Sequence, residues 1–234
     1  MRVLAIVHQE DAGPGVFAEE LSSHGVEIEY WRVPEEDDLP TDVHEYGAVM
    51  TFGGAMHVDQ EDRHGWLARE TELLRELIDR GTPLLGACLG AQLLCAAAGG
   101  EVTRMREPEI GWVDVEVTDP GDPLVGPLAP SFSAFEWHSY ACVPPAGSAV
   151  LAHSEQCAQA FRIGDAAWGI QFHAEVSTAD AAHWIADWRS DEDAVRIGLD
   201  VERLSAETDE AIAGWNDLGR AVAGRFLEAA ATRA

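Results

Sequence analysis

The feature that most constrains the fold of this chain is a short apolar segment that passes from a strand directly into a helix. Leu84–Ala87 has the composition of a buried strand, and a helical pattern of apolar residues follows Cys88 without any polar loop. So abrupt a turn needs residues without a Cβ where the backbones meet, and Gly86 and Gly90 flank Cys88. Cys88 is therefore expected at a helix N-terminus, where the helix dipole and free N–H groups favour a thiolate.

Apolar strands alternate with helical patterns in the first half of the chain, and strand-like segments dominate the second half. The predicted strands are Val3–His8, Val26–Val33, Ala48–Phe52, Leu84–Ala87, Glu101–Met105, Trp112–Val117, Ser131–Trp137, Ala149–His153, Ala158–Ile163 and Trp168–Phe172. Helices are predicted up to His24, over Trp66–Ile78, from Cys88 to Gly99, over Thr178–Trp188 and over Ala206–Ala230, with a loop at Pro34–Thr41. This order predicts an α/β three-layer sandwich with a mostly parallel central sheet and some antiparallel additions.

The chain is long enough for one domain of ordinary size. We expect that domain to span residues 1–188. Residues 189–234 are expected to form a C-terminal helical extension packed on it, with a joint at Asp187–Asp193.

Composition excludes several classes of function. The 234 residues include 42 acidic and 15 basic side chains, a net charge of −27, and no lysine. Such a surface disfavours binding to nucleic acid and to anionic membranes. The absence of lysine excludes a phosphate-loop lysine and Schiff-base chemistry.

Neither a secreted nor a membrane-spanning protein is expected. The four cysteines show no Cys-x-x-Cys spacing, so the sequence predicts neither a zinc site nor a disulfide framework. No run reaches the roughly 20 apolar residues of a membrane span. We therefore expect a cytoplasmic protein without a metal or a cofactor.

Groups suited to nucleophilic catalysis follow three of the predicted strands. Gly53-Gly54 comes after the third strand, Cys88 after the fourth, and His173 with Glu175 after the last. Ligands of doubly wound sheets bind beyond the carboxyl ends of the strands, so these groups are expected to converge. His173 and Glu175 are two residues apart and share one face of an extended backbone. Glu175 can then hold the imidazole while its other nitrogen faces Cys88.

The glycine pair suits the stabilisation of an oxyanion. One N–H of Gly53-Gly54, together with the N–H of Leu89, could bind the oxygen of a tetrahedral intermediate. Losing one such donor typically raises the barrier by roughly 2.7–4 kcal/mol. Taken alone, each of these elements more often has a purely structural role, as a cysteine in the core or as an ordinary turn. Their conjunction, each after an apolar strand, favours a catalytic site.

Three motifs carry a family resemblance. Gly86-x-Cys88-x-Gly90-x-Gln92, Phe172-His173-x-Glu175 and the upstream Gly53-Gly54 resemble those of the class I (triad) glutamine amidotransferases. The greatest similarity is to free-standing relatives of the amidotransferase domain of GMP synthetase, and it covers roughly residues 1–188. The resemblance implies a flavodoxin-like fold and hydrolysis of the glutamine side-chain amide through a glutamyl thioester on Cys88.

The resemblance also implies roles for individual residues. Cys88, His173 and Glu175 would form the catalytic triad. The oxyanion hole would be formed by Gly54 and Leu89, and the substrate would be contacted by Gly53, Gln92, Trp137, His138 and Ser139.

The sequence departs from the family pattern at two positions. Ala174 stands where the family often has proline, which is expected to loosen the turn without removing a catalytic group. Tyr140 stands where an acid is common, so recognition of the substrate α-amino group is expected to differ. His138 is a rival base, although we favour a role in shaping the substrate pocket.

Alternatives to a glutaminase remain open. The same triad could hydrolyse a γ-glutamyl peptide or another γ-glutamyl amide, and a protein with this fold could bind or regulate without turnover. No Gly-x-x-x-x-Gly-Lys loop is present, so the ammonia is expected to go to water or to a separate synthetase subunit.

Overall fold

The computed structural model describes residues 1–33 and 42–232, and the loop predicted at Pro34–Thr41 lies outside them. The strands are β1 (Arg2–Val7), β2 (Glu27–Arg32), β3 (Ala48–Thr51), β4 (Leu84–Ala87), β5 (Glu101–Val117), β6 (Ser131–Val143), β7 (Ala149–His153), β8 (Ala158–Ile163) and β9 (Ala167–Ile170). The helices are α1 (Gly15–Ser23), α2 (Trp66–Arg80), α3 (Leu89–Ala97), α4 (Thr178–Ala186), α5 (Glu192–Ile197) and α6 (Val201–Ala231). Among these helices, none combines the length and the apolar composition that a membrane span needs.

All nine of these strands join in one mixed sheet, in the order β2-β1-β3-β4-β9-β8-β6-β5-β7. The five strands from β2 to β9 are parallel, whereas the remaining pairings are antiparallel. β7 also pairs with β8, which closes β8, β6, β5 and β7 into a small barrel. The mostly parallel sheet expected from the sequence is therefore corrected to a mixed one. The connections between β5 and β8 contain no α-helix, and parallel neighbours need a long crossover.

Helices cover both faces of the sheet, which gives the expected three layers. β1 shows the division, because Val3 and Ala5 belong to one hydrophobic core while Leu4 and Ile6 belong to the other. Helices α2 and α3 pack in the second core, and α1, α4 and α6 pack in the first. The long helix α6 therefore shares a core with the strands. The division at residue 188 stays a prediction.

Several predicted elements differ in extent from the observed ones. The strands expected at Glu101–Met105 and Trp112–Val117 are one strand, β5, with an irregularity in its pairing between Arg104 and Glu109. The helix expected to end at Trp188 ends at Ala186. A 3-10 turn and the short helix α5 follow it, in place of a simple joint.

Candidate active site

Cys88 forms a sharp turn between the end of β4 and the start of α3. Its φ of 51° and ψ of −109° lie in a region that non-glycine residues rarely adopt. A Cβ on Gly86 would lie 2.6 Å from the carbonyl of Gly90, and a Cβ on Gly90 would overlap the carbonyl oxygen of Thr51. Both glycines are therefore sterically required, and the turn holds backbone strain of about 1–3 kcal/mol at the thiol-bearing residue.

His173 and Glu175 follow β9 as a buried, hydrogen-bonded pair. Nδ1 of His173 lies 2.7 Å from Oε1 of Glu175, and the two side chains are 3% and 2% exposed. The Trp184 ring packs edge-on against the imidazole, with ring centroids 4.8 Å apart. The N–H of His173 donates to the carbonyl of Phe135 in β6 at 2.9 Å. Glu175 and Trp184 thus hold the imidazole ring, and Phe135 holds the backbone that carries it.

The fold brings Cys88 and His173 together. The N–H of Cys88 donates to the carbonyl of Ile170 at the end of β9, at 2.9 Å. Both residues border Gly53, on which a Cβ would lie 3.1 Å from Cε1 of His173 and 3.8 Å from Cβ of Cys88. Burial lowers the pKa of His173, but Cys88 and Glu175 outweigh that effect and raise the pKa well above its ordinary value. The arrangement favours a protonated imidazole beside the sulfur of Cys88.

The Gly53-Gly54 loop lies against this turn, as the sequence predicts. A Cβ on Gly54 would lie 3.0 Å from Cβ of His8 and 3.3 Å from Cδ2 of Leu89, so the loop packs tightly on both residues. Leu89 begins α3, and its N–H therefore has no acceptor within the helix. The structure thus places the expected oxyanion-binding segments side by side, and their role stays a prediction.

The Trp137–Ser139 segment of β6 borders the thiol and is tied to the region of α5. The carbonyl of Trp137 lies 3.9 Å from Sγ of Cys88, and its indole Nε1 donates to Asp191 at 2.8 Å. The Ser139 hydroxyl donates to Asp193 at 2.5 Å. The segment that the sequence predicts to be only a joint therefore forms a wall of the site.

Gln92 lies behind this segment rather than beside the thiol. Only 3% of it is exposed, and its amide Nε2 donates to the carbonyl of Tyr140 at 3.5 Å and to Gln171 at 3.3 Å. The amide thus links α3 to β6 and β9. Contact between Gln92 and a substrate stays a prediction.

These groups open into a cavity of about 460 Å³. Its lining includes Cys88, His173, Gly54, Trp137, His138, Ser139 and Trp184, the acids Asp11, Asp187, Asp191 and Asp193, and the cations Arg63 and Arg104. The cavity therefore presents the Cys88 thiol, the His173 imidazole and charged groups of both signs, which suits a small zwitterionic substrate.

Comparison with known families identifies the family of this chain. The sequence model described as "Glutamine amidotransferase class-I" matches residues 15–189. The chain belongs to this family. The resemblance stated from the three motifs is thereby confirmed.

Relatives and solved structures of class I amidotransferases extend the comparison. A subunit of the glutamine-hydrolysing GMP synthase of Sulfurisphaera tokodaii is 41% identical over 135 residues, 56% of this chain and 69% of that protein. A γ-glutamyl-L-1-hydroxyisopropylamide hydrolase from Pseudomonas sp is 31% identical over 153 residues, 61% of this chain and 51% of that protein. The crystal structure of a glutamine amidotransferase from Thermotoga maritima superposes with a TM-score of 0.87 at 27% identity, over 97% of this chain and 98% of that one. The class I amidotransferase fold therefore extends beyond the segment matched by the family model.

A buried polar cluster includes His138 of the Trp137–Ser139 segment. Glu109, His138 and Cys157 place ligand-type atoms within 4.8 Å of one another. Nε2 of His138 lies 3.1 Å from Glu109 and 3.4 Å from Glu136, and Gln159 donates to Glu109 at 2.6 Å. Burial raises the pKa of Glu136 well above its ordinary value, with Glu109 adding to the effect. Neither carboxyl oxygen of Glu136 has a hydrogen-bond partner among the described residues, and the absence of a metal site stays a prediction.

A second buried pair, which sequence reasoning missed, supports the Gly53-Gly54 loop. Nε2 of His8 lies 2.7 Å from Glu70, and its Nδ1 lies 3.0 Å from the carbonyl of Phe52 and 3.2 Å from that of Gly53. Burial lowers the pKa of His8, but Glu70 and the two carbonyls raise it overall. In the sequence, the position of His8 at the carboxyl end of the first strand is the one indication that it lies near the site. No pattern in the sequence indicates its partner Glu70, which is 62 residues away.

Proposed function

We propose that this protein is a cysteine-dependent amide hydrolase of the glutamine amidotransferase type, which releases ammonia from the side-chain amide of glutamine. One observation carries the proposal. The strained Cys88 turn lies beside a buried His173–Glu175 pair whose imidazole has a raised pKa. A nucleophile, a proton carrier and an orienting carboxylate are the three groups that thiol acyl transfer needs.

In the first half of the reaction, Sγ of Cys88 attacks the amide carbon and the carbonyl oxygen becomes an oxyanion. The N–H groups of Gly54 and Leu89 would stabilise that oxyanion. The His173 imidazolium gives its proton to the amide nitrogen, the C–N bond breaks, and ammonia leaves. The product is a glutamyl thioester on Cys88 and a neutral imidazole held by Glu175.

In the second half, the neutral His173 takes a proton from water, and the hydroxyl oxygen attacks the thioester carbon. The C–S bond breaks, glutamate leaves, and the Cys88 thiolate and the His173 imidazolium are restored. Trp137, His138 and Ser139 would hold the amino-acid end of the substrate, and Gly53 and Gln92 would contribute further contacts to it.

A γ-glutamyl peptide or amide is the second candidate substrate. Tyr140 occupies the position where the family commonly has an acid, and its hydroxyl donates to Asp59 at 3.0 Å. A cavity of about 460 Å³ leaves room for a leaving group larger than ammonia. The Pseudomonas relative is named as a hydrolase of a γ-glutamyl amide, which supports the same substrate class.

The ammonia acceptor would be a separate synthetase subunit. Several relatives are named as one subunit of a glutamine-hydrolysing GMP synthase, and no nucleotide-binding loop is present in this chain. Co-purification with a tagged chain tests this partner, and the expected capture is an ATP-dependent synthetase.

Glutamate release from glutamine and from γ-glutamyl dipeptides distinguishes the two substrates in one assay. We expect turnover in the wild type and none in Cys88→Ala. Cys142→Ala is the matched control, because Cys142 is a buried cysteine of β6 that is not among the lining residues of the cavity. Equal activity in Cys88→Ala and the wild type would overturn the proposal. Failure of a glutamine-mimicking electrophile to label Cys88 would favour a silent binding protein.

A further inference from the structure

The long helix α6 touches the backbone that carries His173 and Glu175. The indole Nε1 of Trp215 donates to the carbonyl of His173 at 2.8 Å, and the side-chain Nδ2 of Asn216 donates to the carbonyl of Val176 at 2.7 Å. Both hydrogen bonds are buried and join residues about 40 positions apart in the chain. The carbonyl groups of His173 and Val176 therefore have hydrogen-bond donors on α6.

Gly219 brings the next turn of α6 against the same segment. A Cβ on Gly219 would overlap the carbonyl oxygen of Ala174 and would lie 2.9 Å from Cγ2 of Val16. On the other side, the N–H of Val16 donates to the carbonyl of Glu175 at 2.9 Å. The carbonyls of residues 173–176 are thus each engaged by α6 or α1. These contacts restrain the backbone around Ala174, which has no proline ring to fix its φ.

Trp215 is itself held in an aromatic cluster. Its ring packs edge-on against Trp112 and Phe172, with centroids 5.7 and 5.9 Å apart, and stacks on Phe132. Only 4% of Trp215 is exposed. The indole N–H of Trp215 therefore points in a fixed direction. Its hydrogen bond can hold the carbonyl of His173 in one position.

We propose that α6 positions the catalytic pair, with Trp215 and Gly219 as positioning residues for His173 and Glu175. The inference rests on the proposed hydrolase function. The family model ends at residue 189, so the proposal assigns a functional role to a helix outside the segment that defines the family. Misplacement of a catalytic group by about 1 Å can lower a rate by roughly 100-fold.

The first test compares two glycine substitutions in α6. Gly219→Ala forces the helix away from Ala174, whereas Gly214→Ala has no neighbour within 4 Å of the new methyl group. We expect kcat to fall about 10- to 100-fold in Gly219→Ala with KM unchanged. In Gly214→Ala, kcat should stay at the wild-type value while the thermal midpoint rises, because alanine favours the helix.

The second test removes one hydrogen bond and keeps the aromatic packing. Trp215→Phe loses the donor to His173, and Trp168→Phe in β9 loses a donor of the same kind to Asp122, at 3.2 Å. Both variants are assayed well below their thermal midpoints, so that unfolding of the protein does not lower the measured rate. We expect a fall in kcat and an altered pH profile in Trp215→Phe only, because His173 then sits differently against Glu175 and Cys88.

Alkylation of Cys88 by iodoacetamide across pH gives a readout that needs no substrate. We expect Gly219→Ala and Trp215→Phe to change its pH dependence and the two controls to leave it unchanged. Wild-type kcat and alkylation profiles in folded Gly219→Ala and Trp215→Phe would overturn the positioning role. Absence of hydrolysis by the wild type, with the alkylation differences retained, would overturn the proposed function and leave the positioning role supported.

Discussion

Nδ1 of His173 lies 2.7 Å from Oε1 of Glu175, and Oε2 of Glu175 is buried with no hydrogen-bond partner among the described residues. The imidazole is thus the principal partner of this carboxylate. A carboxylate that forms its hydrogen bond with a single imidazole fixes which ring nitrogen carries the proton. It also fixes the direction in which the other nitrogen points.

Glu175→Gln tests this orienting role. The side-chain amide keeps the size of the carboxylate but can donate to Nδ1 and so favour the wrong imidazole tautomer. We expect kcat to fall about 10²- to 10⁴-fold, with KM nearly unchanged. Initial rates of glutamate release measure the effect, and Glu155→Gln, at an exposed position outside the cavity lining, is the control. Similar rates in both variants would contradict the role.

The protonation of His173 should depend on Cys88. Burial lowers the pKa of His173, while interactions with Cys88 and Glu175 raise it well above its ordinary value. We expect the pKa of His173 to be lower in Cys88→Ala than in the wild type, because the thiolate no longer stabilises the imidazolium. Imidazole resonances followed by NMR through a pH titration measure it. An unchanged titration in Cys88→Ala would argue against the thiolate–imidazolium pair.

Removing the carboxylate partner of His8 should cost stability. Both side chains of the His8–Glu70 pair are fully buried, and breaking such a pair typically costs about 3–5 kcal/mol. We expect that loss in the free energy of unfolding of Glu70→Gln, measured by urea denaturation. Glu76→Gln on the same helix removes the exposed partner of His44 and should cost at most about 1 kcal/mol.

The same pair predicts how stability varies with pH. The folded-state pKa of His8 is raised, so its stabilising contribution is complete below the unfolded-state pKa and is lost as the pH rises through the folded value. Unfolding free energies of the wild type should therefore decline across that window more steeply than those of Glu70→Gln. Parallel pH curves for the two proteins would contradict the assignment.

At the Cys88 turn, the backbone of Gly90 lies so close to that of Thr51 that no side chain fits at position 90. A methyl group there would overlap the carbonyl oxygen of Thr51, and overpacking of this kind costs about 1–3 kcal/mol or more. We expect Gly90→Ala to be destabilised by that amount and to lose activity as Cys88 shifts. Gly65→Ala, with nothing within 4 Å of the new methyl group, should change stability by less than about 0.5 kcal/mol.

Local patterns predicted most of the secondary structure and the three segments that form the site. The strand at Ala149–His153 and that at Ala158–Ile163 have the predicted bounds, because turns that contain Gly147 and Gly164 lie before the first and after the second. Local patterns missed α5, which has only six residues, and divided β5 in two. The continuity of β5 depends on its pairing with β6, which no local pattern encodes.

Residue types and short spacings along the chain are enough to predict the chemistry proposed for this site. Glycines spaced around Cys88 permit the sharp turn, and the two-residue spacing of His173 and Glu175 places them on one face, since both effects act over a few residues. The contacts that hold those groups in place come instead from distant parts of the chain. The partners of His8 and of the His173 carbonyl are 62 and 42 residues away, and the order of the strands and the packing of α6 bring them into contact.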